Sequence, residues 1–176
     1  MTQIDASRPS PSSFWTFSLS IYGRPGVPAA CLTLQDGSGV DVNLLLFGLF
    51  LGRQGRKIAP DDLKTISKAT EPWRANVVVS LRDARRALKE PPAPFTGTLA
   101  ESLRKSVKAA ELEAERIQQE MLFVTFPAQD LGVTEENREN ACAANVDAYR
   151  HFLGAQFNED AIAALLSAAA ATGAKR

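Results

Sequence analysis

The chain has 176 residues and a balanced charge, with 20 lysines and arginines against 20 aspartates and glutamates. This length is typical of one domain whose core is large enough to fold without metal or disulfide staples. A net charge near zero argues against a nucleic-acid or anionic-membrane binder, because such proteins carry a net or clustered positive field. The most apolar run, residues 42–51, is shorter than the about 20 residues of a membrane span, and no secretory signal opens the chain, so we expect a cytoplasmic protein.

A polar leader and two short helices open the chain. Residues 1–11 are polar and contain two prolines, and we expect them to be disordered. Ser12, or the serine after it, can cap a helix over residues 14–22, whose apolar side chains cover most of its circumference and predict a buried helix. Pro28 suits the first turn of a second helix, and Gly37 lies where a C-terminal glycine is expected.

The next stretch brings four oxygen-bearing side chains together: Asp36, Ser38, Asp41 and Asn43. With Asp36 at the third position of an EF-hand loop, the first and twelfth positions are leucines, so two essential calcium ligands are missing. We therefore interpret the stretch as a corner between two helices. Ser38 and Asp41 have capping-box spacing for a third helix over residues 40–53.

A fourth helix is predicted to begin at Pro60 and to be interrupted at Pro72. From residue 73 to residue 88 the apolar side chains keep one helical face, so the valines 77–79 are predicted to be helical rather than a strand. Residues 90–97 contain the internal proline cluster and are predicted to be a stiff connector.

A long helix is predicted after the connector, from Thr98 to about residue 122. Thr98 and Glu101 have the spacing of a capping box. The apolar positions alternate by four and three residues and form a heptad seam, made of Leu103, Val107, Ala110, Ala114, Ile117, Met121 and Val124. The seam can pack on the 73–88 helix as a hairpin, or it can pair with a second copy of itself.

Two shorter helices complete the predicted fold. Thr134 is expected to cap the sixth helix and Gly154 to end it, with one apolar face made of Cys142, Val146, Tyr149 and Leu153. Asn158 begins the seventh helix, and residues 172–176 are expected to fray. The predicted fold is an all-α, single-domain bundle of five to seven helices over residues 12–171, with the connector 90–97 dividing residues 12–89 from residues 98–171.

The densest group of charged side chains lies on the 73–89 helix. Arg82, Arg85, Arg86 and Lys89 fall on one face at helical spacing, and Arg74 lies two turns earlier. A planar guanidinium matches a phosphate or carboxylate, so this group is a candidate anion-binding patch. Because Arg85 lies nearest the apolar stripe, we expect Arg82 and Arg86 to be the arginines that face a ligand. The alternative is pairing with acidic residues of the chain itself, namely Asp83, Glu111, Glu113, Glu115 and Glu120.

The sequence offers no recognisable catalytic or metal-binding pattern. His151 is the single histidine, and neither Cys31 nor Cys142 has the local signature of a nucleophile, so we interpret both cysteines as buried free thiols. Phosphate loops, dinucleotide fingerprints and metal-ligand spacings are absent. We therefore expect no catalytic residue, no metal and no cofactor.

Two functions remain open from the residues alone. The first is a non-catalytic helical module that binds a protein partner or a second copy of itself through the seam of the 98–122 helix. The second is a protein or enzyme that binds a small anion between helices, in a pocket walled by Trp15, Tyr22 and Trp73. A flat apolar or basic surface favours the first, and a concave site where an arginine meets an aromatic side chain favours the second.

Three segments carry a resemblance to a known family: FWTFSLSIYGRPGVPAACLTLQDGSGVDVNLLLF (14–47), WRANVVVSLRDARRALK (73–89) and KAAELEAER (108–116). Together they resemble the proteobacterial proteins grouped as domain of unknown function 2390, over roughly residues 14–122. The resemblance implies a small, helical, cytoplasmic bacterial protein. It implies no activity, cofactor or catalytic residue.

Overall fold

Helices account for most of residues 11–172, which are the residues that the computed structural model describes. They are α1 (Ser13–Tyr22), α2 (Val27–Ser38), α3 (Val42–Arg53), α4 (Pro60–Trp73), α5 (Ser80–Ala87), α6 (Thr98–Thr125), α7 (Arg138–Leu153) and α8 (Glu159–Ala171). A π-helical segment, Arg74–Val79, joins α4 to α5 without a break, so these residues form seven helical rods. The predicted all-α, single-domain bundle is confirmed.

The ends of the chain were predicted to be a disordered leader (1–11) and a frayed tail (172–176). Apart from Pro11 and Thr172, both lie outside the described residues. Within residues 11–172, none of the helices combines the length and the apolar character that crossing a bilayer requires.

Helix α3 forms the centre of the core. Every residue from Asn43 to Gly52 is buried, because apolar side chains cover the whole circumference of the helix. Helix α7 packs along one side of α3, and α1, α2, α6 and α8 surround the rest. The ring centroid of Phe14 in α1 lies 5.1 Å from that of Phe47 and 5.3 Å from that of Phe50. Helix α1 therefore contacts α3 through aromatic side chains. The prediction that this helix is buried around most of its circumference is wrong, because Leu19 and Tyr22 on its outer side are exposed.

Gly52 allows α3 and α7 to approach closely. A Cβ atom at this position would lie 2.6 Å from the backbone nitrogen of Cys142 and 2.7 Å from its Sγ atom. Such distances are far below van der Waals contact, so a larger residue at position 52 would force the two helices apart.

Capping contacts confirm three predicted helix ends. Ser12 Oγ accepts a hydrogen bond from the backbone N–H of Trp15 at 3.1 Å and begins α1. Asn158 Oδ1 accepts one from Ala161 at 2.9 Å and begins α8. Gly154 ends α7 with φ 61°, a left-handed conformation that glycine adopts without strain.

The corner between α2 and α3 differs from the sequence prediction. Helix α2 continues through Gly37, and Gly39, with φ 66°, is the left-handed glycine that ends it. Asp41 itself caps α3 and accepts hydrogen bonds from two backbone N–H groups. Ser38 takes no part in that cap, because its hydroxyl donates to the carbonyl of Gln156 at 2.6 Å. Spacing alone could not show that the loop between α7 and α8 lies against the end of α2.

Two other predicted caps are wrong. Thr98 is the first residue of α6 rather than its cap, and the pairing of Glu101 with Arg104 takes the place of a capping box. Thr134 belongs to a short strand, while Asn137 caps α7. In the first case the competing partner is an arginine one turn along the same helix, and in the second it is a strand residue, Arg56, in another loop.

Pro72 does not interrupt its helix. It lies one residue before the end of α4, and the π-helical segment that follows two residues later carries the chain onward to α5. A proline removes one backbone donor, yet the helical backbone continues past Pro72 and takes up π-helical hydrogen-bond spacing from Arg74 onward. The valines 77–79 are helical, as predicted.

A pair of two-residue strands ties two loops together. β1 (Arg56–Lys57) and β2 (Val133–Thr134) are antiparallel, and they join the α3–α4 loop to the α6–α7 loop. This small element was not predicted, because its strands are too short to show an alternating pattern.

Helix α6 presents a polar face to the core. Its buried residues are Glu111, Ala114, Gln118, Gln119 and Leu122. Of the seven seam residues Ala114 alone is buried, whereas Leu103, Ala110, Ile117 and Val124 are exposed. The seam therefore turns largely towards solvent, and α6 packs on α5 through charged side chains instead.

Candidate functional site

Arg82 and Arg85 face α6 and form an ion-pair cluster with two of its glutamates. Arg82 donates to Glu111 at 3.1 Å and to Glu115 at 2.9 Å. Arg85 also donates to Glu111, through Nε and Nη2. The exposed fraction of the side chain is 12% for Arg82 and 27% for Arg85. Arg82 is thus the more enclosed of the two, which corrects the expectation that Arg85 turns inward and Arg82 outward.

The two glutamates of this cluster have opposite pKa shifts. Burial raises the pKa of Glu111, but hydrogen bonds from Arg85 and Arg82 outweigh it, and the net pKa lies below the ordinary value. Burial also raises the pKa of Glu115, and the single arginine beside it does not fully compensate, so its net pKa is raised. The charged form of Glu115 therefore depends more strongly on its one ion-pair partner, Arg82, than that of Glu111 depends on either of its two.

The remaining members of the predicted basic patch lie apart from this cluster. Arg74 donates to Glu71 at 3.2 Å and lies 3.8 Å from Asp41. Arg86 is half exposed and pairs with Asp36 at 2.6 Å. Lys89 lies just beyond the end of α5 and is exposed. The five cations predicted as one patch are thus distributed over several places, and most of them pair with carboxylates of the chain.

Two of the three predicted pocket aromatics share a cavity. Trp15 and Tyr22, both on α1, line a cavity of about 140 Å³ between α1, α3 and α6. Tyr22 also lines a neighbouring cavity of about 340 Å³ together with Arg82 and Arg85. Trp73 lines neither of these cavities, and its indole N–H donates to the carbonyl of Ala114 at 3.0 Å. An arginine and an aromatic side chain do converge, but the arginines there are already paired with glutamates.

A chain of side-chain hydrogen bonds connects the α3 cap to α6. Gln118 donates to Asp41 at 2.7 Å, and its own oxygen accepts from Asn43 at 2.8 Å. The oxygen of Asn43 in turn accepts from Gln119 at 2.8 Å. This polar relay is buried throughout and ends at Gln119, which lines the smaller cavity.

Sequence reasoning missed this relay. The heptad pattern placed Gln118 and Gln119 outside the seam, so both were passed over. A signal was present, since two adjacent glutamines in a long amphipathic helix and an asparagine in the apolar run 42–51 could satisfy one another.

The four oxygen-bearing side chains of residues 36–43 do not converge. Asp36 pairs with Arg86, and Ser38 donates to Gln156. Asp41 caps α3, and Asn43 belongs to the polar relay. Over residues 11–172 the structure contains no cluster of three or more histidine, cysteine or acidic side chains that could hold a metal ion.

The cysteines and the histidine lie in different environments. Cys31 and Cys142 are buried and form no disulfide. Burial raises the pKa of the Cys31 thiol to about 12 and that of Cys142 to about 11. His151 is exposed and its Nδ1 contacts the carbonyl of Asp147. A thiol with a raised pKa is a poor nucleophile, so neither cysteine is suited to covalent chemistry.

A family model described as "Protein of unknown function (DUF2390)" matches residues 13–122, well over half of the chain. The chain belongs to this family. The matched region runs from α1 to the last turn of α6, and it includes Trp15, the polar relay of α3 and α6, and the ion-pair cluster. The chain matches no curated protein and no solved structure.

Proposed function

We propose that this protein is a non-catalytic binding module that binds a protein partner through residues 80–110, the α5–α6 hairpin tip. The observation that carries this proposal is a set of apolar side chains that are exposed and do not pack in the core. Neither α5 nor the first thirteen residues of α6 contain a buried residue, so this part of the chain extends away from the core.

Large apolar side chains are exposed along the hairpin tip. The exposed fraction is 72% for Phe95, 85% for Leu99 and 54% for Leu103. Single exposed apolar side chains are common, but grouped ones mark interaction surfaces. Ile117 and Val124 continue this exposure along the same face of α6, which gives a partner helix or sheet a long face to cover, whereas Leu112 lies on another side of the helix.

The charge of the hairpin tip favours an acidic partner. Residues 80–110 contain seven lysines and arginines against three acidic residues. Arg82, Arg85 and Arg86 pair with carboxylates outside this range, so the exposed Lys105 and Lys108 on α6 are the cations that favour an acidic partner. Two such tips would repel each other in a symmetric dimer, and an acidic surface around an apolar patch would be complementary. Association with a second copy through the seam of residues 98–122 is therefore the less favoured form of this proposal.

A photo-crosslinking amino acid tests the proposal. It is placed at Leu99 of the full chain in bacterial cells, with Ala163, an exposed residue of α8, as the matched control position. We expect one acidic protein to be crosslinked at position 99 only, and the adduct to be lost when Lys105 and Lys108 are changed to Glu. An adduct between two copies would support self-association instead. Equal adducts at both positions, or none, would overturn the proposal.

We infer that the protein acts in the bacterial cytoplasm, and this inference rests on the family resemblance. Fractionation of bacterial cells that produce the tagged full chain tests it. Recovery of the chain in the membrane or periplasmic fraction would contradict this part of the proposal.

A second candidate function is the binding of a small anion beside Arg82 and Arg85. The cavity of about 340 Å³ that both line together with Tyr22 favours it. An anion would have to displace Glu111, which accepts from both arginines, and this competition makes it the weaker candidate. A rise in Tm with inorganic phosphate that Arg85→Gln abolishes would favour it, and an unchanged Tm would exclude it.

A further inference from the structure

Two cavities beside α1 adjoin each other at a group of shared residues. The smaller has a volume of about 140 Å³ and the larger one of about 340 Å³. The residues that line both are Tyr22, Gln35, Leu112 and Glu115. The cations of the larger cavity, Arg82, Arg85 and Lys108, do not line the smaller one. The junction of the two cavities therefore has three polar residues, and one of these is a carboxylate.

The smaller cavity is mostly apolar and has a single charged residue, Glu115, in its lining. Its apolar walls are formed by Trp15, Leu19, Val42, Leu46 and Leu112. The volume is close to that of apolar protein cavities that take up one benzene ring. Leu19 and Leu112 are exposed, so a small molecule can enter from their side.

The polar residues that line the smaller cavity fall into a buried group and an accessible group. The buried ones are Ser18, Asn43 and Gln119. The accessible ones are the three junction residues, Tyr22, Gln35 and Glu115, which all keep part of their surface exposed. A ligand in this cavity would therefore meet its hydrogen-bonding partners at the junction.

Each junction residue offers an oxygen that can accept a hydrogen bond. The amide Nε2 of Gln35 donates to Asp36 at 3.3 Å, which leaves Gln35 Oε1 as an acceptor. Arg82 donates to Glu115 Oε1, whereas Glu115 Oε2 accepts from no described residue and still has accessible surface. The Tyr22 hydroxyl also makes no hydrogen bond to a described residue. Three acceptors at one place favour a ligand group with several donors.

The charges around Glu115 favour a cation. Burial raises the pKa of Glu115, the nearby carboxylates of Glu111 and Asp41 raise it further, and Arg82 lowers it. The net pKa is raised, so a single guanidinium does not balance the burial and the two carboxylates. A second cation beside Glu115 would stabilise its charged form.

From this arrangement we propose that the smaller cavity binds a primary amine that carries an apolar group about one aromatic ring in size. The ring would contact the apolar walls, and the ammonium would lie at the junction, where its three N–H groups can donate to Glu115, Gln35 and Tyr22. The proposal is independent of the partner surface on the hairpin tip, since it rests on different residues. It also differs from the anion candidate, which would bind at Arg82 and Arg85.

Benzylamine, benzyl alcohol and benzoate separate recognition of a cation from simple filling of the cavity. They share one ring, and at neutral pH their polar groups are positive, neutral and negative. Each is titrated into the isotope-labelled full chain while the indole N–H resonances of Trp15 and Trp73 are followed by NMR. Trp73 lines neither cavity and is the internal control. We expect Trp15 alone to shift, with benzylamine binding about tenfold more tightly than benzyl alcohol and benzoate binding most weakly.

Two glutamate variants of α6 assign the preference to its carboxylate. Glu115→Gln removes the charge with little change of shape and should abolish the preference for benzylamine over benzyl alcohol. Glu113→Gln removes the same charge from a residue that lines neither cavity, so it should keep the preference. If Glu115→Gln fails to fold, Gln35→Leu replaces it and should weaken benzylamine binding more than benzyl alcohol binding.

Four results would each overturn the proposal. They are equal affinity for benzylamine and benzyl alcohol, no shift of Trp15, an unchanged preference in the folded variant of Glu115 or Gln35, and tightest binding of benzoate. The last result would favour the anion candidate instead.

Discussion

Arg82→Gln is the substitution that most directly tests the ion-pair cluster. Arg82 bridges Glu111 and Glu115, whereas Arg85 contacts Glu111 alone. Removing Arg82 leaves Glu115 without a cation, while removing Arg85 leaves Glu111 still paired with Arg82. We therefore expect Arg82→Gln to destabilise the fold more than Arg85→Gln, the reverse of what the helical angles alone suggested.

The structure sets the size of this effect. A hydrogen bond to a charged group contributes about 1.5–3 kcal/mol, and loss of one partner of a fully buried pair costs about 3–5 kcal/mol. The Glu115 side chain is 29% exposed, so water recovers part of that cost. We expect Arg82→Gln to lower the free energy of unfolding by about 2–3 kcal/mol, and Arg85→Gln by about 1 kcal/mol, after a discount for its more exposed side chain.

The pH dependence of the Arg82→Gln variant follows from Glu115. Burial raises the pKa of this carboxyl in the folded protein, and loss of Arg82 should raise it further. A carboxyl whose folded pKa exceeds its unfolded pKa binds protons more tightly in the folded state, so lowering the pH stabilises the fold. The deficit of the variant should thus shrink as the pH falls from neutral towards about 4.3, the ordinary value for glutamate.

Urea unfolding followed by circular dichroism measures these differences. Glu115→Gln supplies the control, because the double variant with Arg82→Gln no longer holds an unpaired carboxylate and should be more stable than Arg82→Gln alone. The interpretation of the cluster is refuted if Arg85→Gln proves the more destabilising substitution. It is also refuted if acidification increases the deficit of Arg82→Gln.

Three further predictions concern the core and the helix corner. Gly52→Ala should destabilise the fold by about 1–3 kcal/mol, because the added Cβ would overlap Cys142. Gly37→Ala should stabilise it by about 0.5–1 kcal/mol, because Gly37 is helical and no atom lies within 4 Å of the added Cβ. Urea titrations of the two variants, compared with the unchanged chain, measure both effects. Both thiols, Cys31 and Cys142, should react with a thiol reagent only on unfolding, and fast labelling of the native chain would contradict this. Residues 36–43 should bind no calcium, so a rise in Tm on calcium titration would count against the proposed corner.

Much of the fold could be predicted because apolar side chains determine it. Helix α7 buries Cys142, Val146 and Tyr149 as their spacing indicates, and α8 buries Ile162 and Leu165. In such helices the hydrophobic stripe and the core-facing side coincide, so periodicity alone gives the orientation.

The orientation of α6 could not be predicted because its inward face is polar. Gln118 and Gln119 are buried, and their hydrogen-bond partners, Asp41 and Asn43, lie more than seventy residues earlier in the chain. Sequence periodicity shows which residues share a helical face, but it does not show which face finds complementary hydrogen bonds. The orientation of Arg82 was predicted wrongly for the same reason, since the carboxylates that it pairs with belong to another helix, α6.

Helix α6 turns a largely polar face towards the core and an apolar face towards solvent, and this arrangement links the fold to the proposed function. The buried Gln118, Gln119 and Glu111 of α6 each need a hydrogen-bond or ion-pair partner in the core. Well-packed apolar side chains at the same positions often give equal or greater stability and need no such partners. The outward leucines, such as Leu99 and Leu103, meanwhile contribute little to the core, since both are exposed. Stability of the isolated chain therefore does not account for the outward leucines. The proposed protein partner would account for them, because it would cover this face of α6.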